Sequence, residues 1–275
     1  MSSVGNIVRK TQPLVFWCMR GLTKSKREAM YTIFAFCRHL DAVARSDMAF
    51  IEKTELLQAW HEEIDNIYDK KVPATAIGRK IYKNCMRFDL PKAMLREILE
   101  SVEFNVIDPL KAPEDALFER YVNGVAVIPL ELALRIVDSS HIQANHELAE
   151  SLGKAVFITS VLRDIKDEAK QGFFYMPRSI LQYAGIEIST PRSMVEHNNL
   201  AVAREKLSQQ AEIGYAKAKR LLGKMNRKDT RAFRLIEALA YAQFAIMKKR
   251  GWEIVSPKPR LGWWQQIKIL SEVLL

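Results

Sequence analysis

The chain has 275 residues, 48% hydrophobic and 27% charged, with 11 Gly and 10 Pro, a composition that suits a globular protein and excludes disorder or a collagen-like repeat as a description of the whole. Its 42 Lys and Arg against 32 Asp and Glu leave a formal charge of +10, which favours a polyanionic surface or ligand: nucleic acid, anionic lipid or a diphosphate. Three cysteines, Cys18, Cys37 and Cys85, are too few for an extracellular disulfide lattice, and no CxxC offers a zinc knuckle, so a reducing, cytoplasmic setting is expected.

In chain order, the apolar stretch Pro13 to Met19 is too short for a signal peptide and has no small-residue cleavage pattern after it. Apolar positions then recur every three or four residues, predicting helices over Lys24 to about Ala49, Phe50 to Tyr68, Ala74 to Arg87 and Pro91 to Glu103, with Pro91 placed as a helix start. Val106 to Ala112 interrupts the pattern. A helix from Glu114 towards Ile136 follows, weakened or bent by Gly124 and Pro129. His146 to Lys170 is the next strong segment, with Gly172 suited to the left-handed residue at its end and Pro177 as a stop. Ser193 to Met225 and Lys228 to Arg250 complete the body, and Gly251 to Gly262 links it to an amphipathic tail. Ala238 to Met247 is confined by Glu237 and the cluster Lys248, Lys249, Arg250, so no transmembrane helix is expected. No run alternates at strand spacing. The expectation is therefore an all-α chain forming a single domain over residues 1–275, with 251–275 as link and tail.

Two constellations carry chemistry. In FAFCRHLDAVARSD, Arg38, Asp41 and Arg45 are spaced by three and four residues and share a helical face, either as a surface ion pair or as part of a ligand site. In SVLRDIKDEAKQGFFYMP, Asp164 and Glu168 stand four apart; two carboxylates on one face repel unless cations compensate, and a Mg²⁺-bound diphosphate is one such partner. Asp167 points elsewhere, with Lys170, Gln171 or Arg163 as its candidate partners. His39 reads as a local hydrogen-bonding residue and Cys37 as packing. With no zinc finger, GxxxxGK loop or RNP-like aromatic pair, no nucleic-acid partner is expected.

The segments KREAM, FAFCRHLD, LRDIKDEAKQGFFYMP and KKRGWEI, in this order, resemble the squalene/phytoene synthase family over about residues 12–270. The resemblance implies an isoprenoid-synthase-like helical bundle with a central cavity, two facing aspartate-rich helices holding Mg²⁺, and head-to-head condensation of two prenyl diphosphates such as farnesyl or geranylgeranyl diphosphate. It implies catalytic roles for Asp41, Asp164, Glu168, Tyr121 and Tyr175, of which Asp41, Asp164 and Glu168 would bind metal. It implies substrate binding by Arg38 and Arg163, with Lys26, Arg27 and Arg45 adding to a diphosphate rim. No NADPH fingerprint is visible, so dependence on NADPH is left open.

The departures are specific. The family's first motif, FCRxxDDxxD, keeps only its first aspartate as Asp41; Ala42 and Arg45 replace the other two, and Asp47 is displaced by two positions. In the second, LRDxxEDxxxGRxYLP, Asp167 and Glu168 retain carboxylates while Phe173 replaces an arginine. Tyr121, Val125 and Ala126 match a central YCxxVAGxVG element whose glycines are here Val127 and Leu130. Losing two carboxylates removes Mg²⁺ ligands, and Arg45 adds a fixed charge that repels a metal but suits a diphosphate. The alternative to a prenyltransferase is accordingly a catalytically inactive relative acting in lipid binding or protein assembly. Trp263, Trp264 and Lys268 in the tail suit peripheral contact with an anionic membrane surface, or else packing on the body.

Overall fold

A computed structural model describes residues 5–6, 9, 16 and 19–274. Cys18 and most of the stretch Pro13 to Met19 lie outside the described residues. Among the described residues, a 3-10 turn at Met19–Gly21 is followed by twelve α-helices: α1 (Lys24–Ala44), α2 (Phe50–Tyr68), α3 (Ala76–Phe88), α4 (Lys92–Ile107), α5 (Asp115–Val122), α6 (Ile128–Val137), α7 (Ile142–Lys170), α8 (Arg178–Tyr183), α9 (Pro191–Val195), α10 (Leu200–Lys224), α11 (Arg227–Arg250) and α12 (Trp263–Leu274). No strand occurs among the described residues. A lone parallel bridge joins Lys111 to Phe174.

Helix ends differ from the sequence reading where polar side chains compete for the backbone. α1 stops at Ala44 rather than near Ala49, because Ser46 donates to the Val43 carbonyl at 2.7 Å and Lys53 donates to that of Ala44 at 3.0 Å. α3 begins at Ala76, two residues later than expected, where the Thr75 hydroxyl accepts from Gly78 N–H at 2.8 Å. Pro91 sits at the N-cap of α4 rather than inside it. The expected helix from Ser193 is two helices, because His197 Nδ1 accepts from Asn199 N–H and Asn199 donates to the Ala184 carbonyl, fixing a turn between α9 and α10.

The segment weakened by Gly124 and Pro129 is α5 and α6 joined by a π-helical turn, Asn123–Val127. Pro129 lacks the N–H needed to continue a regular ladder. A β-carbon at Gly124 would collide with Ser101 and lie 3.0 Å from the Glu97 carbonyl, so glycine here permits α4 to approach the π turn.

α7 runs through the centre, against α10 on one side and against α6, the π turn and α11 on others, while α1 packs on α3, α4 and α6. One continuous apolar cluster includes Phe36 and Leu40 of α1, Leu99 of α4, Leu162 of α7 and Leu207 of α10. A smaller one, Leu235 and Leu239 with Leu261, Ile269, Leu270 and Val273, seats the tail on α11. The C-terminal ends of α1 and α7 are thereby brought side by side.

Candidate active site

Asp41 and Arg45 occupy the last turn of α1, and Asp164 and Glu168 the last two turns of α7. Arg45 joins them. Its Nε donates to Asp41 Oδ1 at 2.7 Å, and its Nη1 donates to Glu168 Oε2 at 2.7 Å and to Gln171 Oε1 at 3.3 Å. Arg38 pairs with the other oxygen of Asp41. Burial works against the charge on Arg45, yet Asp41 and the Glu168 hydrogen bond hold its pKa above the ordinary guanidinium value.

Asp164 is held separately. Arg163 Nη2 lies 2.6 Å from its Oδ2 and Lys258 Nζ 2.6 Å from its Oδ1; Lys258 also reaches Asp167 Oδ2 at 2.8 Å. Burial pushes the Asp164 carboxyl up, and Arg163 and Lys258 outweigh it and hold the pKa below the usual aspartate value. Asp167 also pairs with Lys170 at 3.4 Å, one of its expected partners, and Lys258 is one that the sequence reading missed.

An aromatic column stands beside the bridge. The Arg45 guanidinium lies 5.3 Å from the Phe173 ring centre, Phe173 stacks on Tyr175 at 5.7 Å, and Tyr175 on Tyr121 at 5.4 Å. Asn105 donates to both tyrosine oxygens, at 3.2 Å to Tyr175 and 3.4 Å to Tyr121. Phe174 fixes the column by backbone pairing, its N–H to Leu110 at 2.8 Å and its carbonyl to Ala112 N–H at 2.9 Å. Both phenols are raised above the ordinary value, chiefly by burial, so they are neutral near pH 7. Phe173 therefore fills with a ring the position where the resemblance leads one to expect an arginine.

Lys26 and Arg27, expected at a diphosphate rim with the motif residues, lie elsewhere. Asp41 is fifteen residues from Lys26 along α1, about 22 Å of helix. Lys26 Nζ donates to the Val137 carbonyl at 2.7 Å, and Arg27 to the carbonyls of Arg20 and Leu22. His39 packs edge-on to Trp60 at 5.5 Å, and burial lowers its pKa. Burial pushes the Cys37 thiol up to about 12, which suits the packing role expected of it.

As arranged, these residues do not fit a resident Mg²⁺. The oxygens of Asp41 and Asp164 and Oε2 of Glu168 are engaged by the chain's own Arg38, Arg45, Arg163 and Lys258, and no group of three His, Cys, Asp or Glu side chains suited to a metal ion occurs among the described residues. The bridge puts a guanidinium between two carboxylates from facing helices.

Arg204, which sequence reasoning also missed, anchors the link that carries Lys258. Arg204 is 1% exposed and donates to the Trp252 carbonyl, to Ile254 at 3.2 Å and to Leu162 on α7 at 3.0 Å, tying the 251–262 link to the central helix. Periodicity signals neither residue, because each acts through the link's irregular backbone.

The squalene/phytoene synthase family model matches residues 8–265. Over 255 residues the chain is 28% identical to a presqualene diphosphate synthase of Rhodopseudomonas palustris, covering 92% of this chain and 90% of that one. It is 27% identical over 183 residues to a phytoene synthase of Mycobacterium tuberculosis, covering 66% of this chain and 59% of the other. Among solved structures, a dehydrosqualene synthase superposes with a TM-score of 0.85 at 19% identity, covering 98% and 94% of the two chains. A squalene synthase from Alicyclobacillus acidocaldarius gives 0.79 at 17% identity, covering 90% and 93%. The fold is that of these helical synthases.

Proposed function

The chain belongs to the squalene/phytoene synthase family, and from that premise we propose that it is a transferase condensing two prenyl diphosphates, farnesyl or geranylgeranyl, head to head. The observation that carries the proposal is the meeting of the two motif helices at Arg45, beside the aromatic column Phe173, Tyr175 and Tyr121.

Each residue has a distinct task in this reading. Arg38, 42% exposed at its side chain, and Arg163 donate hydrogen bonds to the departing diphosphate as negative charge grows on it. Arg45 adds charge at the same end while remaining tied to Asp41 and Glu168. The carboxylates of Asp41, Asp164 and Glu168 orient these cations. Neutral Tyr121 and Tyr175 wall the cationic carbon with ring faces and exclude water. The family generally works with a divalent metal; the paired carboxylates described above offer it no cradle, and no step here is routed through one. Any use of NADPH belongs to a later reductive step, outside the condensation proposed.

Product mass tests the proposal. Purified protein given farnesyl or geranylgeranyl diphosphate, with and without Mg²⁺, is expected to release diphosphate and yield a C30 or C40 product. Folded protein that does neither with either substrate would favour the second reading, a noncatalytic lipid-binding or assembly role. The internal pairing of the motif carboxylates with the chain's own cations supports that second reading.

Contact with an anionic membrane surface belongs to the same proposal. No helix among the described residues is long and apolar enough to cross a membrane. α12 packs through Ile269, Leu270 and Val273 yet leaves Trp263 and Trp264 exposed at 60% and 68%. It runs antiparallel to α11, since Arg227 at the start of α11 donates to the Glu272 carbonyl near the end of α12, so the Trp pair lies towards the end that carries Lys248, Lys249 and Arg250. Exposed aromatic rings, with a basic cluster further along in the same direction, suit an anionic interface. The W263A/W264A double variant is expected to lose most cosedimentation with anionic vesicles while keeping its melting temperature; recovery equal to the unaltered protein would assign the tail to packing alone.

A further inference from the structure

A second concave site lies away from the meeting of the two motifs. The N-terminal half of α1, the turn before it and the outer face of α3 enclose a cavity of about 970 Å³, within the size range of ligand sites. Six cations line it: Arg20, Lys24, Arg27, Lys80, Lys83 and Arg87. The single carboxylate among its described lining residues is Glu28.

The pattern follows from helix geometry. Lys80, Lys83 and Arg87 recur at three- and four-residue steps and form one stripe on α3, and Lys24 and Arg27 form another on α1, which packs against it. Like charges facing each other across a concave surface repel, and the repulsion is relieved by a bound anion. Lys24, Lys80 and Lys83 make no ion pair among the described residues, so their charge is left for a ligand.

A second, independent observation points the same way. Asn84 is 7% exposed, lines the cavity, and makes no side-chain hydrogen bond among the described residues. Its amide is reached only from the cavity it lines, and an anion oxygen there would accept from its NH₂. Tyr31, which also lines the cavity, is already committed, stacking on Phe16 at 5.3 Å and donating to the Phe16 carbonyl at 2.9 Å. The motif site differs in balance: Arg38, Arg45, Arg163 and Lys258 there meet Asp41, Asp164, Asp167 and Glu168 one for one.

We propose that the cavity between α1 and α3 binds a multivalent phosphate, either as a free diphosphate or as phosphates of lipid headgroups. Asp41 lies fourteen residues beyond Arg27 on α1, about 21 Å of helix, so this site is separate from the one where the two motifs meet. It does not depend on the chain being an active synthase.

The test titrates inorganic diphosphate by calorimetry, and vesicles containing phosphatidic acid by cosedimentation, into the full chain and three variants, with W263A/W264A added to every protein in the vesicle arm so that the tail does not contribute. The K80E/K83E variant alters partly or fully exposed positions, N84A removes the amide that lines the cavity, and K70E/K71E makes the same charge change at two exposed lysines outside both sites. The expected result is binding of one or both probes by the unaltered protein, weakened at least tenfold in K80E/K83E and several-fold in N84A, and unchanged in K70E/K71E. Binding of diphosphate identifies a free ligand, and binding of vesicles alone identifies headgroups. The proposal is overturned if the unaltered protein binds neither probe, if K80E/K83E binds as well as the unaltered protein, or if K70E/K71E weakens binding as much as K80E/K83E does. Circular dichroism of each variant confirms that its fold is retained before the titrations are compared.

Discussion

The R45D variant is expected to be less stable than the unaltered protein by about 3 kcal/mol and, unlike it, to be stabilised by Mg²⁺. Arg45 is 25% exposed at its side chain, between Asp41 at 30% and Glu168 at 19%, so the trio is shielded enough for pairing to matter but not fully dry. Breaking a fully buried pair costs about 3–5 kcal/mol, and partial exposure puts this bridge near the lower end. The substitution also adds a third carboxylate where two already stand, and their repulsion is what a divalent cation relieves. Metal bound at about a hundred times its dissociation constant returns about 2.7 kcal/mol. Calorimetric melting of both proteins in Mg²⁺ and in chelator reads the difference. A rise in the unaltered protein's melting temperature as large as the variant's would mean that the Arg45 bridge opens readily for metal, against the closed arrangement described here.

That contrast also marks where the sequence was legible. Apolar periodicity placed Phe50–Tyr68 to the residue, because α2 has an uninterrupted apolar stripe and no competing polar caps inside it. The four-residue step put Asp164 and Glu168 on one face of α7. The π turn at Asn123–Val127 was visible only as a weakness at Gly124 and Pro129, since its cause, the approach of Ser101 on α4, lies far away in sequence. Arg45 was recognisable as a replaced carboxylate, but its pairing was not: the Glu168 oxygen it meets is 123 residues further on, and a long flexible cation takes its partner from whichever helix the fold brings near. The separation of Lys26 and Arg27 from the motif was hidden for the converse reason. Nearness in sequence to the motif became distance along a rigid helix.

Removing Arg204 is expected to have the other large effect, because it couples the least regular part of the chain to the site. R204A strips hydrogen-bond donors from the carbonyls of Leu162, Trp252 and Ile254 and leaves a cavity beside the Trp252 ring, which the guanidinium now approaches at 5.6 Å. The Leu162 carbonyl keeps its place in the α7 ladder and Ile254 is 39% exposed, so the unpaired buried carbonyl is that of Trp252, at about 1 kcal/mol or more, and the lost packing of a fully buried side chain brings the total to about 4 kcal/mol. For a domain of this size the melting temperature should fall by about 10 °C. R204M keeps much of the stem's packing and should lose less, which separates packing from hydrogen bonding. Burial lowers the Arg204 pKa to about 10, which leaves the guanidinium charged near pH 7 with its donors directed at the three carbonyls. Release of the 251–262 link also takes Lys258 from Asp164, whose pKa then rises towards the ordinary aspartate value. A carboxyl with a depressed folded pKa contributes stability above its unfolded pKa of about 3.8 and loses it as pH falls through the folded value. The stability gap between R204A and the unaltered protein should therefore narrow as pH falls from about 7 to about 3, measured by denaturant titration at each pH. A gap that stays constant over that range would show that Arg204 holds the link without positioning Lys258 on Asp164.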